Sequence, residues 1–143
     1  MVPDLVVREV PIAATRPLRQ AILRPHQTPE ELAEHEPAGA FAVGAFDGAQ
    51  LVAVGFVAPD GEPGAWRIRG MATVAHVRGR GVGTAVLDAL VRHALDNGAT
   101  RIWCNARTPA RSLYAQRGFR VVSDEFELPE IGPHVVMERI DPT

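Results

Sequence analysis

Residues 66–97 constrain the fold more than any other stretch, because their periodicity changes from that of a strand to that of a helix across one short loop. Apolar and polar side chains alternate up to Val74, which predicts a half-buried strand. From Gly81 onward, apolar residues recur at helical spacing, and Asn97-Gly98 is typical of a helix end. The residues predicted to share one strand face are Trp66, Ile68, Gly70 and Ala72, with Arg67, Arg69, Met71 and Thr73 on the other.

The loop between this strand and this helix combines glycine with arginine, in the order Arg78-Gly79-Arg80-Gly81-Val82-Gly83. Glycines let backbone N–H groups approach a ligand closely, and the first N–H groups of a helix have no helical partner. The helix dipole adds positive potential there, and the two arginines add charge. This glycine-arginine loop therefore predicts an anion site suited to a pyrophosphate; the alternative is a tight turn that binds no ligand.

Length and composition limit the remaining possibilities. The 143 residues, 46% of them hydrophobic and 22% charged, suit one globular domain over residues 1–143. A net charge of −2 gives no reason to expect a nucleic-acid partner. The single cysteine, Cys104, excludes an internal disulfide, and no residue spacing indicates a metal site. No apolar run reaches the ~18 residues of a membrane span, and the N-terminal stretch is charged, so we expect no membrane contact and a cytoplasmic location.

Turn and cap residues predict the order β-α-α-β-β-β-α-β-α-β-β. Asp47-Gly48 indicates a hairpin between two early strands. Thr28 is predicted to cap one helix at Pro29, and Thr15 to cap an earlier helix that has Pro17 in its first turn. The expected strands are residues 4–10, 39–46, 50–58, 66–74, 101–104, 119–127 (with a break) and 134–140, and the last helix runs from Thr108-Pro109 to about Arg117, before Gly118. An early hairpin with later strand-helix pairs predicts a mixed α/β sheet.

This order of elements resembles that of the GNAT superfamily of N-acetyltransferases. Arg78, Gly81 and Gly83 fit the family's loop pattern of Arg or Gln, two residues, Gly, one residue, then Gly or Ala. The segment Met71-Ala72-Thr73-Val74 lies upstream, where the family has its central strand, and residues 110–119 resemble the segment in which a tyrosine, here Tyr114, precedes Gly-Phe. The resemblance implies an α/β fold with a GNAT-like mixed, mostly antiparallel sheet, splayed central strands and flanking helices.

The resemblance also implies acetyl-CoA as the cosubstrate, with no metal. Its pyrophosphate would lie on the N–H groups of residues 78–84, and its arm would pair with the central strand as an added strand does. That strand and the strand at residues 101–105 must then splay apart, and an N–H near Met71 or Ala72 would polarise the thioester carbonyl. The residues expected to contact the cosubstrate are Met71, Ala72, Thr73, Arg78, Gly79, Arg80, Gly81, Val82, Gly83, Thr84 and Asn105.

Tyr114 resembles the acid that, in this family, protonates the departing thiolate during direct transfer to an amine. A phenol pKa near 10 exceeds a thiol pKa near 8.5, so this transfer is uphill in water. The alternative is an aromatic residue packed in the core. The general base is not assigned. Glu125 and His134 are candidates for the base or for contact with the acceptor, and Arg24 is a candidate for contact with the acceptor; the alternative for each is a surface charge or a paired histidine.

Other polar side chains carry weaker expectations. We expect Cys104 to be packed inside a strand rather than to act as a nucleophile. Arg69 is expected to form an ion pair on the sheet face; the alternative is contact with an acidic acceptor. Arg107 and Arg111 are expected to be solvated helix charges, although both are candidates to reach a phosphate. His26 and Glu127 are further candidates for the acceptor side.

Three functions fit these patterns. The favoured one is an N-acetyltransferase that acts on the amine of an unidentified small molecule or peptide; the second is a module that binds acyl-CoA without turnover. The third, a dinucleotide-binding protein, is disfavoured because the glycines lack GxGxxG spacing and Cys104-Asn105, not an acidic residue, ends the next strand. A homodimer remains compatible with all three.

Overall fold

The computed structural model describes residues 2–141, which form a sheet of eight strands and four α-helices. The strands are β1 (Leu5–Val10), β2 (Phe41–Asp47), β3 (Gln50–Pro59), β4 (Ala65–Thr73), β5 (Arg101–Arg107), β6 (Arg120–Val121), β7 (Phe126–Leu128) and β8 (Gly132–Ile140). The helices are α1 (Ile12–Leu18), α2 (Pro29–Glu34), α3 (Val82–Asp96) and α4 (Arg111–Ala115).

The sheet is mixed and mostly antiparallel, as expected. Its order is β1-β2-β3-β4-β5-β8-β6, and β7 pairs with β8 along the same edge as β6. Among the strands described, β4 and β5 form the one parallel pair. The apolar side of α3, with Val86, Leu87 and Leu90, packs on one face of this sheet against Ile68 and Ile102. None of the helices in residues 2–141 combines the length and the apolar character that crossing a bilayer requires.

The turns and helix caps that depend only on neighbouring residues are predicted correctly. The hairpin at Asp47-Gly48 joins β2 to β3, and Gly48 has a φ of 60°. Thr28 caps α2, because its hydroxyl accepts from the Glu31 N–H at 3.1 Å while the Glu31 carboxylate accepts from the Thr28 N–H at 3.1 Å. Gly98 and Gly118, with φ values of 88° and 87°, follow α3 and α4.

The predicted start of α1 is wrong. The helix begins at Ile12, and Thr15 lies inside it with its hydroxyl donating to the Ile12 carbonyl at 2.6 Å. Pro17 is also within the helix rather than in its first turn. A proline removes one helical N–H donor, and the chain beyond it widens into a π-turn (Arg19–Leu23) that ends with the Arg24 N–H bonded to the Arg19 carbonyl at 3.0 Å.

The bounds of the later elements differ in part from the prediction. The strand expected over residues 119–127 with a break is two strands, β6 and β7, because Ser123 interrupts the pairing with β8: its hydroxyl oxygen accepts from the Val136 N–H at 2.8 Å. Strand β5 runs on to Arg107, three residues past the predicted end at Cys104, because β8 pairs with it as far as His134. The predicted last helix begins as a 3₁₀ turn (Thr108–Ala110) before α4.

Strand β4 contains a bulge that the alternation of its side chains does not show. Arg69 lies opposite Phe56 and Ala72 lies opposite Val54, so Gly70 and Met71 together face the single residue Gly55. Gly70 has a φ of 68°. Beyond this point the faces exchange, and Met71 rather than Gly70 or Ala72 joins Ile68 on the side of α3. The predicted face assignment is therefore wrong from Gly70 onward.

Gly70→Ala is expected to lower the free energy of unfolding by about 2–4 kcal/mol, since a side chain at this φ is strained and the space beside it is filled. An added Cβ would lie 2.7 Å from Phe56 and 3.2 Å from Arg19. The measurement is chemical denaturation. Gly39→Ala is the control, because Gly39 has a φ of 73° but no atom near its Cβ position, so it should cost only about 1 kcal/mol. Equal losses in the two variants would contradict the steric part of this prediction.

The central strands splay, as expected. β4 and β5 pair at three positions only, of which the last is Arg67 with Trp103. After that, β4 continues along β3 and β5 continues along β8. The two strands thereby leave a wedge that widens towards the glycine-arginine loop.

Candidate active site

The wedge between β4 and β5 opens into a cavity of about 900 Å³. Its walls come from the π-turn, from β4, from the glycine-arginine loop and the start of α3, and from β5, α4 and β8. Of the residues expected to contact the cosubstrate, those that line it are Met71, Ala72, Thr73, Arg78, Gly79, Gly81, Val82, Gly83, Thr84 and Asn105. Tyr114, His134 and Arg24 also line it, so the structure brings the two ends of the predicted site together.

The start of α3 presents free backbone donors to this cavity. Gly81 precedes the helix with a φ of 81°, and Ala85 is the first residue whose N–H bonds back to it, at 3.0 Å. The N–H groups of Val82, Gly83 and Thr84 therefore have no helical partner. Arg78 holds the loop against the end of β4, because its Nε donates to the Thr73 carbonyl at 2.9 Å. These features fit a phosphate or pyrophosphate group.

The unpaired edge of β4 has a defined pattern of donors. The Val74 N–H bonds to the Val52 carbonyl of β3 at 2.9 Å. Because N–H groups alternate along a regular strand, we expect the Ala72 N–H to point towards β3 and the N–H groups of Thr73 and of Met71, at the edge of the bulge, to point into the wedge. Of the two residues considered for polarising a carbonyl, Met71 is thus the one with an available N–H. An amide-rich chain can pair with this edge.

Tyr114 lies where α4 meets the cavity. It is 5% exposed and packs edge-on against Phe119, with ring centroids 5.6 Å apart. Burial raises the pKa of Tyr114 above its ordinary value of 10, and the neighbouring Cys104 raises it further. The phenol therefore keeps its proton across the neutral range.

His134 is a buried polar side chain in the cavity wall, 4% exposed. It stands on β8 between Arg107 of β5 and Phe126 of β7. Its Nδ1 lies 2.8 Å from the Gly132 carbonyl oxygen. Since a carbonyl only accepts, Nδ1 carries the hydrogen, and the neutral ring has its lone pair on Nε2. That tautomer can accept a proton.

Several candidates lie elsewhere. Glu125 is exposed and does not line the cavity; its carboxylate accepts from the Thr108 hydroxyl at 2.9 Å. Arg80 and Glu127 are exposed and also lie outside the lining. His26 is 3.4 Å from the Glu130 carboxylate, away from the cavity.

Cys104 is packed in the core, as predicted. It is 1% exposed, among apolar neighbours between β5 and α3. Burial raises the pKa of its thiol to about 12. The thiol is therefore protonated near neutral pH, which makes it a poor nucleophile.

Two arginine assignments are wrong. Arg107 is on β5 rather than on a helix, is partly buried, and donates to the Leu23 carbonyl at 3.3 Å. Arg69 forms no ion pair within residues 2–141; it donates to the His35 carbonyl at 3.0 Å. Both line the cavity, as do Arg19 and Arg67, which the sequence did not single out as site residues. The sequence shows that Arg67 and Arg69 share one face of β4. Only the fold shows that this face lies against the π-turn.

Comparison with known proteins agrees with this geometry. Residues 10–119 match the Acetyltransferase (GNAT) family. An uncharacterized N-acetyltransferase, YitI of Bacillus subtilis (strain 168), is 31% identical over 140 residues, covering 93% of this chain and 94% of the relative. The structure of a GCN5-related N-acetyltransferase from Kribbella flavida is similar with a TM-score of 0.74 and 25% identity, covering 96% of this chain and 98% of the other.

The fold is also that of an aminoglycoside 6′-N-acetyltransferase solved in complex with coenzyme A, with a TM-score of 0.77 and 15% identity over 94% of this chain and 96% of the other. The residues that match the family include both splayed strands and the glycine-arginine loop. The chain therefore belongs to the GNAT acetyltransferase family.

Proposed function

We propose that the protein transfers an acetyl group from acetyl-CoA directly to an amine. The observation that carries this proposal is the continuity of the cavity. The free N–H groups at the start of α3, the unpaired edge of β4 and the Tyr114 side chain all line one space. Acetyl-CoA has an anionic nucleotide at one end, an amide-rich arm in the middle and a thioester at the other end. This order fits the order of the donors along the cavity. The coenzyme A bound in the aminoglycoside acetyltransferase of the same fold supports the proposal.

Each reacting group has a counterpart in the chain. The Met71 N–H would donate to the thioester carbonyl oxygen and stabilise the charge that develops there. The amine nitrogen forms the new bond to the acetyl carbon, and the bond from that carbon to sulfur breaks. The amine loses a proton, which His134 Nε2 would accept directly or through water. Tyr114 would donate its hydroxyl hydrogen to the departing sulfur, and the proton taken up by His134 would return to the Tyr114 oxygen through solvent, so that the products are the amide and the free thiol of CoA.

The raised pKa of Tyr114 defines what it can contribute. A phenol above its ordinary pKa is a weak acid, so it holds its hydrogen until negative charge develops on the sulfur. A thiolate placed beside this buried side chain would be disfavoured for the same reason. We therefore propose that Tyr114 stabilises the sulfur by a hydrogen bond that becomes a proton transfer as the carbon–sulfur bond breaks.

The proposal is tested by following free thiol after mixing the protein with acetyl-CoA and a panel of amines. Thiol release that depends on an amine, with an equal amount of acetylated amine by mass spectrometry, is the expected result. Binding of acetyl-CoA without thiol release from any amine would instead favour the second function, a module that binds acyl-CoA. Thermal stabilisation by NAD alone would overturn both.

We also propose a domain organisation and a cellular location for the protein. We infer a single acyltransferase domain, since every group named above belongs to one continuous sheet or to the helices beside it. For the same reason a homodimer is not required for the chemistry. A cytoplasmic location is part of the proposal and is compatible with the single, unpaired cysteine.

A further inference from the structure

The cavity wall carries positive charge, whereas the whole chain has a small negative net charge. The chain has 17 Asp and Glu residues against 15 Lys and Arg. Yet no Asp or Glu lies among the lining residues described, whereas the arginines that do are Arg19, Arg24, Arg67, Arg69, Arg78 and Arg107. Such a wall is selective for anions, since positive charge is concentrated in a partly enclosed space.

Five of these arginines lie away from the glycine-arginine loop. Arg67 and Arg69 are on the face of β4 opposite Ile68, which packs against α3. Arg69 and Arg19 both approach the ring of Phe56, at 5.5 and 4.8 Å. Arg107 contacts the π-turn, which Arg24 follows. We call this side of the sheet the arginine face; Arg78 lies at the pyrophosphate end, and its charge also acts on Arg107.

The charges on the arginine face are neutralised unevenly. Arg19 pairs with Glu36 at 2.6 Å, and Glu36 is shared with Arg16. Arg67 has Asp60 at 3.6 Å, but its buried Nε has no partner among the residues described. These two arginines are therefore wholly or partly compensated.

Arg24, Arg69 and Arg107 have no carboxylate within ion-pair distance in the described part of the chain. Arg69 and Arg107 donate to carbonyl groups, and no hydrogen bond within residues 2–141 involves the Arg24 guanidinium. Burial, and then the neighbouring arginines, lower the pKa of all three, and for Arg69 the more distant Asp60 offsets part of this. Partly buried like charges without a counter-ion are unfavourable, and a bound anion would relieve this cost.

We propose that the acceptor is an amine that also carries an anionic group, a carboxylate or a phosphate, which binds Arg24, Arg69 and Arg107 on the arginine face. The inference rests on the proposed acetyl transfer. The planar forks of these arginines suit both anions. Holding the anionic end there leaves the amine end free to reach the wedge, where Met71 and Tyr114 lie.

Matched pairs of acceptors test this inference. Amino carboxylates are compared with their carboxamides, and phosphoethanolamine with ethanolamine, by thiol release in the presence of acetyl-CoA. The anionic member of at least one pair should have a kcat/KM about 10- to 100-fold higher, which corresponds to one or two charged hydrogen bonds. The two kinds of pair separate a carboxylate acceptor from a phosphate acceptor.

Arg24→Gln is the variant of choice, because Arg24 holds no other described group in place. It should lower kcat/KM for the anionic acceptor by about 10-fold or more and leave the KM for acetyl-CoA unchanged. Arg24→Lys should restore part of the loss, since it keeps the charge. Arg92→Gln, an exposed arginine of α3 outside this cavity, is the matched control and should change neither value.

Each contrary outcome has a distinct meaning. Thiol release with neutral amines and no preference for anionic ones overturns the inference and leaves the proposed function standing. A rise in the KM for acetyl-CoA in Arg24→Gln, with the acceptor KM unchanged, also overturns it, because the arginines then serve the cosubstrate. No thiol release with any amine overturns the proposed function and the inference with it.

Discussion

Replacing Tyr114 by phenylalanine is expected to lower kcat by about 100- to 10,000-fold, the range typical of a lost general acid. The hydroxyl is the only group removed, so the packing against Phe119 and the KM for acetyl-CoA should stay close to those of the parent protein. Thiol release under saturating substrates is the measurement. Because burial raises the pKa of Tyr114 above 10, the parent enzyme should show no loss of kcat from phenol ionisation between pH 7 and about 9.5.

Ser112 provides the matched control for this variant. It lies on the same short helix and lines the same cavity, but it is exposed and has no proposed part in the chemistry. Ser112→Ala should therefore change kcat by less than about threefold, as expected for a surface hydroxyl. Similar losses in the two variants, or an unchanged kcat in Tyr114→Phe, would remove Tyr114 from the mechanism.

Gly83→Leu is expected to weaken acetyl-CoA binding by at least about 100-fold, since a leucine side chain would occupy the space above the free N–H groups of α3. A Cβ at this position lies 3.4 Å from Thr73 Oγ1 and 3.8 Å from Leu113, two residues of the cavity wall. Gly83 has an ordinary helical backbone, unlike Gly79 and Gly81, so the substitution should not unfold α3. Calorimetric titration with acetyl-CoA measures the loss, and about 2.7 kcal/mol corresponds to 100-fold.

Gly83→Ala separates steric blocking from any effect on the helix. Alanine favours a helix over glycine by about 1 kcal/mol, so this variant should be at least as stable as the parent protein. The alanine methyl group fills only part of the space above the free N–H groups of α3. The affinity of this variant for acetyl-CoA should therefore lie between those of the parent protein and Gly83→Leu. Unchanged affinity in Gly83→Leu would mean that the pyrophosphate is not bound at the start of α3.

The features predicted correctly from sequence are those whose cause lies within a few neighbouring residues. The capping box of Thr28 and Glu31 is closed by two side chains three positions apart. Gly98 ends α3 because glycine adopts a positive φ without strain. The long helix of α3 follows from the spacing of its own apolar residues, and the loop before it from its glycines. The anion site proposed for that loop rests on the same local signals and stays a prediction.

The errors occur where distant residues decide the outcome. Pro17 looked like a first helical residue, but α1 begins earlier and its continuation is a π-turn. The sequence of β4 shows a regular alternation of apolar and polar side chains. In the structure the alternation breaks at Gly70, because the pairing of β4 with β3 leaves one extra residue on β4. Arg107 was expected on a helix, since the sequence does not show that β8 extends β5 to that point.

The sequence by itself determined the strand, loop and helix of residues 66–97 and the glycine-arginine loop, and its resemblance to the family made Tyr114 a candidate acid. Only the tertiary structure decided how far β4 and β5 stay together, which amides of β4 face the wedge, and that arginines from the π-turn and the residue after it, from β4, from the glycine-arginine loop and from β5 line one cavity. The physical reason is the range of the forces involved. Caps, turns and periodicity depend on neighbouring residues, whereas register, splay and the accumulation of like charge depend on which distant segments share a surface.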